Sequence, residues 1–135
     1  MSGLDAAHAA NIVDASLGTA SFVATTTPLK CRIMTANGSA TANGTELSSG
    51  GSYVAGTGMS PATFGSASTT TGAASTSVAL TQTNMPTAAT LAGVELWDSA
   101  ATPKRKWWGA LTATKSTNAG DTFTIPSGSL TATDL

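Results

Sequence analysis

Residues 91–135 read LAGVELWDSAATPKRKWWGALTATKSTNAGDTFTIPSGSLTATDL, and this stretch decides the fold. Leu91 to Trp97 alternates: Ala92, Val94 and Leu96 fall on one side, Gly93, Glu95 and Trp97 on the other. That period of two belongs to a strand covered on at least one face. Asp98 to Pro103 breaks it with turn-forming residues and a proline that cannot donate to a ladder. Lys106 to Thr114 is the return strand, with Trp107, Gly109 and Leu111 on one face and Trp108 and Ala110 on the other. Asn118 to Asp121 turns again, Thr122 to Ile125 carries Phe123 and Ile125 in phase, and Pro126 to Gly128 leads into Ser129 to Thr133. These spacings predict an antiparallel meander.

Working outward, Leu29 to Thr35 is another strand, with Leu29, Cys31 and Ile33 inward and Lys30, Arg32 and Met34 outward. Thr19 to Pro28 is a Thr/Ala linker with strand character at Phe22-Val23. Short strands are expected at Ser52 to Val54 and Val78 to Thr81, the latter ended by Asn84 to Pro86, with a loop or weakly packed strand over Ser60 to Ser77. The unit Thr-Ala-Asn-Gly occurs at 35–38 and again at 41–44, and Asn-Gly favours tight turns with positive φ. The one convincing helix is Ser2 to Leu17. Ser2 and Asp5 match a capping box, Ala6, Ala9, Ala10, Val13 and Leu17 form a narrow apolar stripe, and Gly18 is the stop. The expectation is a mainly β chain: an antiparallel β-sandwich, Greek-key or jelly-roll-like, of seven or eight strands with one N-terminal α-helix. It would form a single domain over 1–135, the helix at 1–18 and the sandwich at 19–135.

Composition narrows function. Charged residues are only 10% of the 135, and Gly, Ala, Ser and Thr dominate the remainder, so a monomer gains little burial per residue. Part of the missing core is expected between subunits. A net charge of −1 gives no general pull toward nucleic acid or an anionic membrane. No apolar run approaches the roughly 20 residues needed to span a bilayer, and the first twenty residues lack the pattern of a secretory signal.

Catalysis has little to use. His8 is the sole histidine and Cys31 the sole cysteine, and Cys31 reads as a small buried apolar side chain. Glu95 and Asp98 flank Trp97, but Glu95 faces outward in the alternation and Asp98 suits the turn. No metal-binding or phosphate-loop motif is present, so neither a metal nor a cofactor is expected. Lys104-Arg105-Lys106-Trp107-Trp108 sets cations beside aromatics, a pattern that stacks on sugar rings or single-stranded nucleic acid. Three charges beside a turn more simply make a solvated tip. Trp97, Trp107 and Trp108 are alternatively subunit-interface anchors. The interface or ligand-contact candidates are thus Trp97, Lys104, Arg105, Lys106, Trp107, Trp108 and Tyr53.

The order of segments carries a resemblance. An Ala-rich helix, LDAAHAANIVDASLG, precedes the strand segment TTTPLKCRIMTANGSAT, and GTELSSGGSYV leads through a glycine-rich turn into Tyr53. Trp97-Asp98, Gly109-Ala110-Leu111, and Gly120, Asp121, Thr122, Pro126, Gly128 and Leu130 fall at the motif positions of the last 45 residues. The chain resembles small virion structural proteins of tailed bacteriophages, particularly those of actinobacteria, described as minor tail or tail-fibre-like. The resemblance implies a non-enzymatic virion protein made in the host cytoplasm. Its partners would be other tail or capsid proteins and its own copies, a trimer by analogy with fibres. A capsid decoration protein is the alternative, and a module binding host cell-wall glycan a second one.

Overall fold

The computed structural model describes Ser2–Thr133, and residues 1, 134 and 135 of the expected domain lie outside it. Ten strands and one helix follow in the order β1 (Ser2–Leu4), α1 (Ala6–Ser16), β2 (Leu29–Ala36), β3 (Thr45–Glu46), β4 (Met59–Ala62), β5 (Ala73–Ser75), β6 (Leu80–Gln82), β7 (Ala89–Trp97), β8 (Arg105–Thr117), β9 (Phe123–Ile125) and β10 (Thr131–Thr133). The main sheet runs β1-β8-β7-β2-β3, and β4 shares with β3 the outer edge of β2. Two antiparallel ribbons, β5–β10 and β6–β9, complete the fold. The pairs β5–β10, β6–β9 and β7–β8 nest inside one another, like a long hairpin folded back on itself. The mainly β, antiparallel architecture with one short N-terminal helix is the one expected.

Why the core lies where it does follows from the alternation. Cys31 and Ile33 of β2, Leu91, Val94 and Leu96 of β7, Leu80 of β6 and Phe123 and Ile125 of β9 belong to one buried cluster. Trp107, Leu111 and Leu130 pack partly against it. The ribbons therefore cover one face of the main sheet, and burial of these side chains is the main favourable term. One phase differs from expectation. Leu91, not Ala92, joins Val94 and Leu96, because the ladder between β7 and β8 is irregular between Leu91 and Gly93. A bulge of this kind shifts the alternation by one residue.

The N-terminus departs further from the sequence reading. Ser2–Leu4 is a strand, with Gly3 opposite Trp108 and Leu4 opposite Trp107. Asp5, not a Ser2–Asp5 capping box, caps the helix: its carboxylate accepts from the Ala7 N–H at 3.0 Å. Helical propensity lost here to a free strand edge that β8 offered. The stop is as expected, since Gly18 takes φ 71° just past the helix. The helix buries none of its residues, and Val13 and Leu17 of its apolar stripe are 52% and 71% exposed. Phe22 does not form a strand, and Ser52–Val54 contributes only a bridge from Tyr53 to Gly50.

Candidate functional site

The charged residues gather where the helix meets the main sheet. Arg105 opens β8 and is 4% exposed, so its guanidinium had to be fully paired on leaving water. Its Nε and Nη2 donate to Asp5 Oδ2 at 3.0 and 2.8 Å, and Nη1 donates to Glu95 Oε1 at 2.9 Å. The remaining donors reach the carbonyls of Ser39 (2.6 Å), Ala40 (3.2 Å) and Ala42 (2.7 Å). A planar fork with five N–H groups suits this many acceptors, and a lysine could not serve them. The cap residue of the helix, the centre of β7 and the 39–42 loop are therefore fastened to one side chain.

The two Asn-Gly units explain how the loop approaches so closely. Neither Gly38 nor Gly44 has a positive φ, so the tight turns expected there are not what these glycines supply. They supply space. A Cβ on Gly38 would fall 2.6 Å from Glu95 Oε1 and 2.7 Å from Arg105 Nη1. Gly44 instead donates its N–H to Glu95 Oε1 at 2.7 Å.

Glu95, expected to face outward, is 1% exposed and passes the network on. Its Oε2 accepts from the Trp97 indole N–H at 3.0 Å. The guanidinium of Arg32 stacks over Trp97 at 4.0 Å from the ring centroid, a cation–π contact, and pairs with Glu46 at 3.6 Å. Glu46 Oε1 accepts from Tyr53 Oη at 2.8 Å, and that hydroxyl accepts from the Ile33 N–H at 3.0 Å. Burial pushes the Tyr53 phenol well above its ordinary pKa, helped by the Glu46 carboxylate and opposed by the Ile33 N–H. A second pair, Lys106 with Asp98 at 3.3 Å, lies beside the first. Burial alone would raise the Asp98 carboxyl; hydrogen bonds from the Lys104 N–H, the Lys106 ammonium and the Ala100 N–H outweigh it and hold its pKa below the usual range. His8 is held below its ordinary pKa, first by burial and then by the Lys106 charge, against Asp5 and Asp98.

The stretch 104–108 is thus no solvated tip. Lys104 is exposed, whereas Arg105 and Lys106 are buried in ion pairs. Trp107 packs on the core, and Trp108 lies against Gly3 with its buried indole N–H meeting no acceptor among the described residues. Trp97 has Arg32 on its ring, and Tyr53 is 1% exposed. The structure brings Arg105, Trp97 and Tyr53 into one internal network with Asp5, Glu95, Arg32 and Glu46, and leaves only Lys104 of the seven candidates well exposed. Cys31 is fully buried and its thiol is pushed up to about 12, so at neutral pH it is the small apolar filler expected. Among the described residues, no group of three or more His, Cys, Asp or Glu is placed to hold a metal. No helix there is long and apolar enough to cross a membrane.

What sequence reasoning missed is the outer apolar surface. Val13, Leu17, Phe22 and Val23 are all more than half exposed, within eleven residues of one another in the chain. The helix stripe was visible as a pattern, but nothing in the sequence said that it would go uncovered. The family described as Podophage GP4 fiber I protein gp80 matches residues 3–133. This chain belongs to that family. The fiber I match spans both β1 and β10, so it takes in the whole described fold. It bears out a phage tail-fibre-like structural protein. No curated protein matches the chain.

Proposed function

We propose that this fiber I family member is a structural subunit of the virion, a tail-fibre component that works through contacts with its own copies and with other virion proteins. The observation that carries this reading is the fiber I family match over residues 3–133, beside which Val13, Leu17, Phe22 and Val23 each stand more than half exposed. Lys104 stands exposed on the rim of a pocket that Val23 and the helix residues Ala7, His8 and Asn11 also line, as a polar contact. The family favours a fibre over the alternative of capsid decoration. Trp97 carries Arg32 on its ring and Trp107 packs partly against the core, which leaves stacking on host glycan the less favoured reading beside the fibre family match. A trimer belongs to this proposal by analogy with fibres, and an actinobacterial host through the resemblance of the chain.

The test is to purify virions, identify the chain by mass spectrometry, and count it against the major capsid protein. A few to a few dozen copies that stay with isolated tails are expected. Hundreds of copies retained by emptied heads would make it a decoration protein, and absence from particles would sink the virion reading.

A further inference from the structure

β8 is the longest strand of the fold, and only three of its thirteen residues are paired on both sides. β1 covers only Trp107–Gly109 on its outer side. On the inner side, β7 pairs with Arg105–Ala110 and again with Lys115–Thr117, but its register jumps between Leu91 and Gly93. Leu111, Thr112, Ala113 and Thr114 consequently have no ladder partner on either side among the described residues. β9 is paired along one edge only, with β6. Between these two strands lies a groove of about 520 Å³, walled by Leu111–Ala113 and Lys115 on one side and Thr122–Pro126 on the other. The walls are consecutive residues. A strand presents alternate residues through its face, so consecutive ones mean that backbone edges border this groove.

The same chain carries a segment that lies outside every strand. Ser21–Thr26 has no secondary structure, and Phe22 and Val23 are 57% and 62% exposed. Of the backbone groups in Ser21–Thr25, only the Val23 N–H is bonded within the described residues, to Asn11 Oδ1 at 3.2 Å. Its composition, Ala-Ser-Phe-Val-Ala-Thr-Thr, has the aromatic and β-branched residues of a strand. It bears no charge from Thr19 to Leu29, and the groove's one charged lining residue is Lys115, so apposition buries no like pair.

We infer that the groove is an acceptor slot, and that Ser21–Thr25 of a second copy enters it as an added strand between β8 and β9. Backbone groups of Leu111–Thr114 gain main-chain partners, and Phe22 or Val23 gains the apolar wall of Leu111, Phe123 and Ile125, the usual division of labour in strand addition. Donor and acceptor are different surfaces of one chain, so each copy both gives and receives. Such a head-to-tail contact closes into a ring or runs on as a filament. This inference rests on the reading of the chain as a self-associating fibre component and names the surfaces involved.

The test compares wild-type full chain with two kinds of variant by size exclusion with light scattering, folding being checked by circular dichroism. The donor variant is Phe22→Asp with Val23→Asp. The acceptor variants are Thr112→Pro and, separately, Ala113→Pro, because only alternate N–H groups point into the groove. Wild type should form larger species, and the donor variant and one acceptor variant should be monomers. Mixing those two should give a dimer that grows no further, since a single working interface remains. A monomeric wild type, variants that assemble as wild type does, or a mixture that stays monomeric would each overturn the slot. If neither proline variant folds, a synthetic peptide of residues 19–27 decides instead. It should bind the donor variant and dissolve wild-type assemblies, and no binding means no slot. A monomeric chain found on tails by the particle count would end this inference while leaving the virion reading standing.

Discussion

Arg105 is the residue on which the N-terminal end of the fold depends. Its removal would leave Asp5 and Glu95 facing each other with no cation between them, and Glu95 is buried. Arg105→Met should therefore cost about 3–5 kcal/mol of unfolding free energy, the scale for breaking a buried pair by deleting one partner. Arg105→Lys keeps the charge but not the fork to the carbonyls of Ser39, Ala40 and Ala42, and should still cost about 1.5–3 kcal/mol. Urea denaturation of the two variants measures both, and a near-neutral Arg105→Met would mean that the network is incidental to stability. None of this was legible in the sequence. Lys104-Arg105-Lys106 looks like a solvated turn because charge runs usually are one. The acids that bury Arg105 lie 100 residues away at Asp5 and on the neighbouring strand at Glu95, and no local spacing relates them.

At the scale of elements, strands were far more legible than loops or the first helix. β2, β7, β8 and β9 were readable because their apolar residues alternate, and alternation is a local property. β1 was not, since three residues of Ser-Gly-Leu become a strand only because β8 exposes an edge to them. The two Thr-Ala-Asn-Gly units read as turns, whereas their glycines serve the packing of the Arg105 loop. That use gives a prediction: Gly38→Ala must push the loop off Glu95 and Arg105 and should cost about 1–3 kcal/mol, as for overpacking. Gly65 has no neighbour closer than 4.0 Å to an added Cβ and no positive φ, so Gly65→Ala is the neutral control. Equal melting temperatures for the two variants would remove the close-approach argument. The groove beside β8 was equally hidden, because it arises from a register jump between two strands that each look regular alone.

For the whole molecule, acid should be more damaging than the small number of carboxylates suggests. His8 has a folded pKa below its unfolded value of about 6.5, so the unfolded chain binds the proton first as pH falls. Stability from this group is complete above that value and is lost as pH drops toward the folded pKa. Asp98 has the same sign: its depressed pKa contributes stability above the unfolded value of about 3.9 that is lost below it. Denaturation midpoints measured across pH should thus fall in two stages, and His8→Gln should abolish the upper stage alone. A flat profile between pH 7 and 5 in the parent protein would contradict the lowered pKa of His8.

The bond from Asp5 to Arg105 has one more consequence, which concerns synthesis. The residue that caps the helix emerges from the ribosome a hundred residues before its anchor, and β1 likewise precedes β8 by most of the chain. Contacts this distant in sequence form late, because the intervening chain must first be ordered. A growing chain therefore cannot fix its N-terminal end until translation is nearly finished. Val13, Leu17, Phe22 and Val23 take up their final placement only in a chain that has been made through Arg105, and a prematurely terminated product has no means of presenting them correctly.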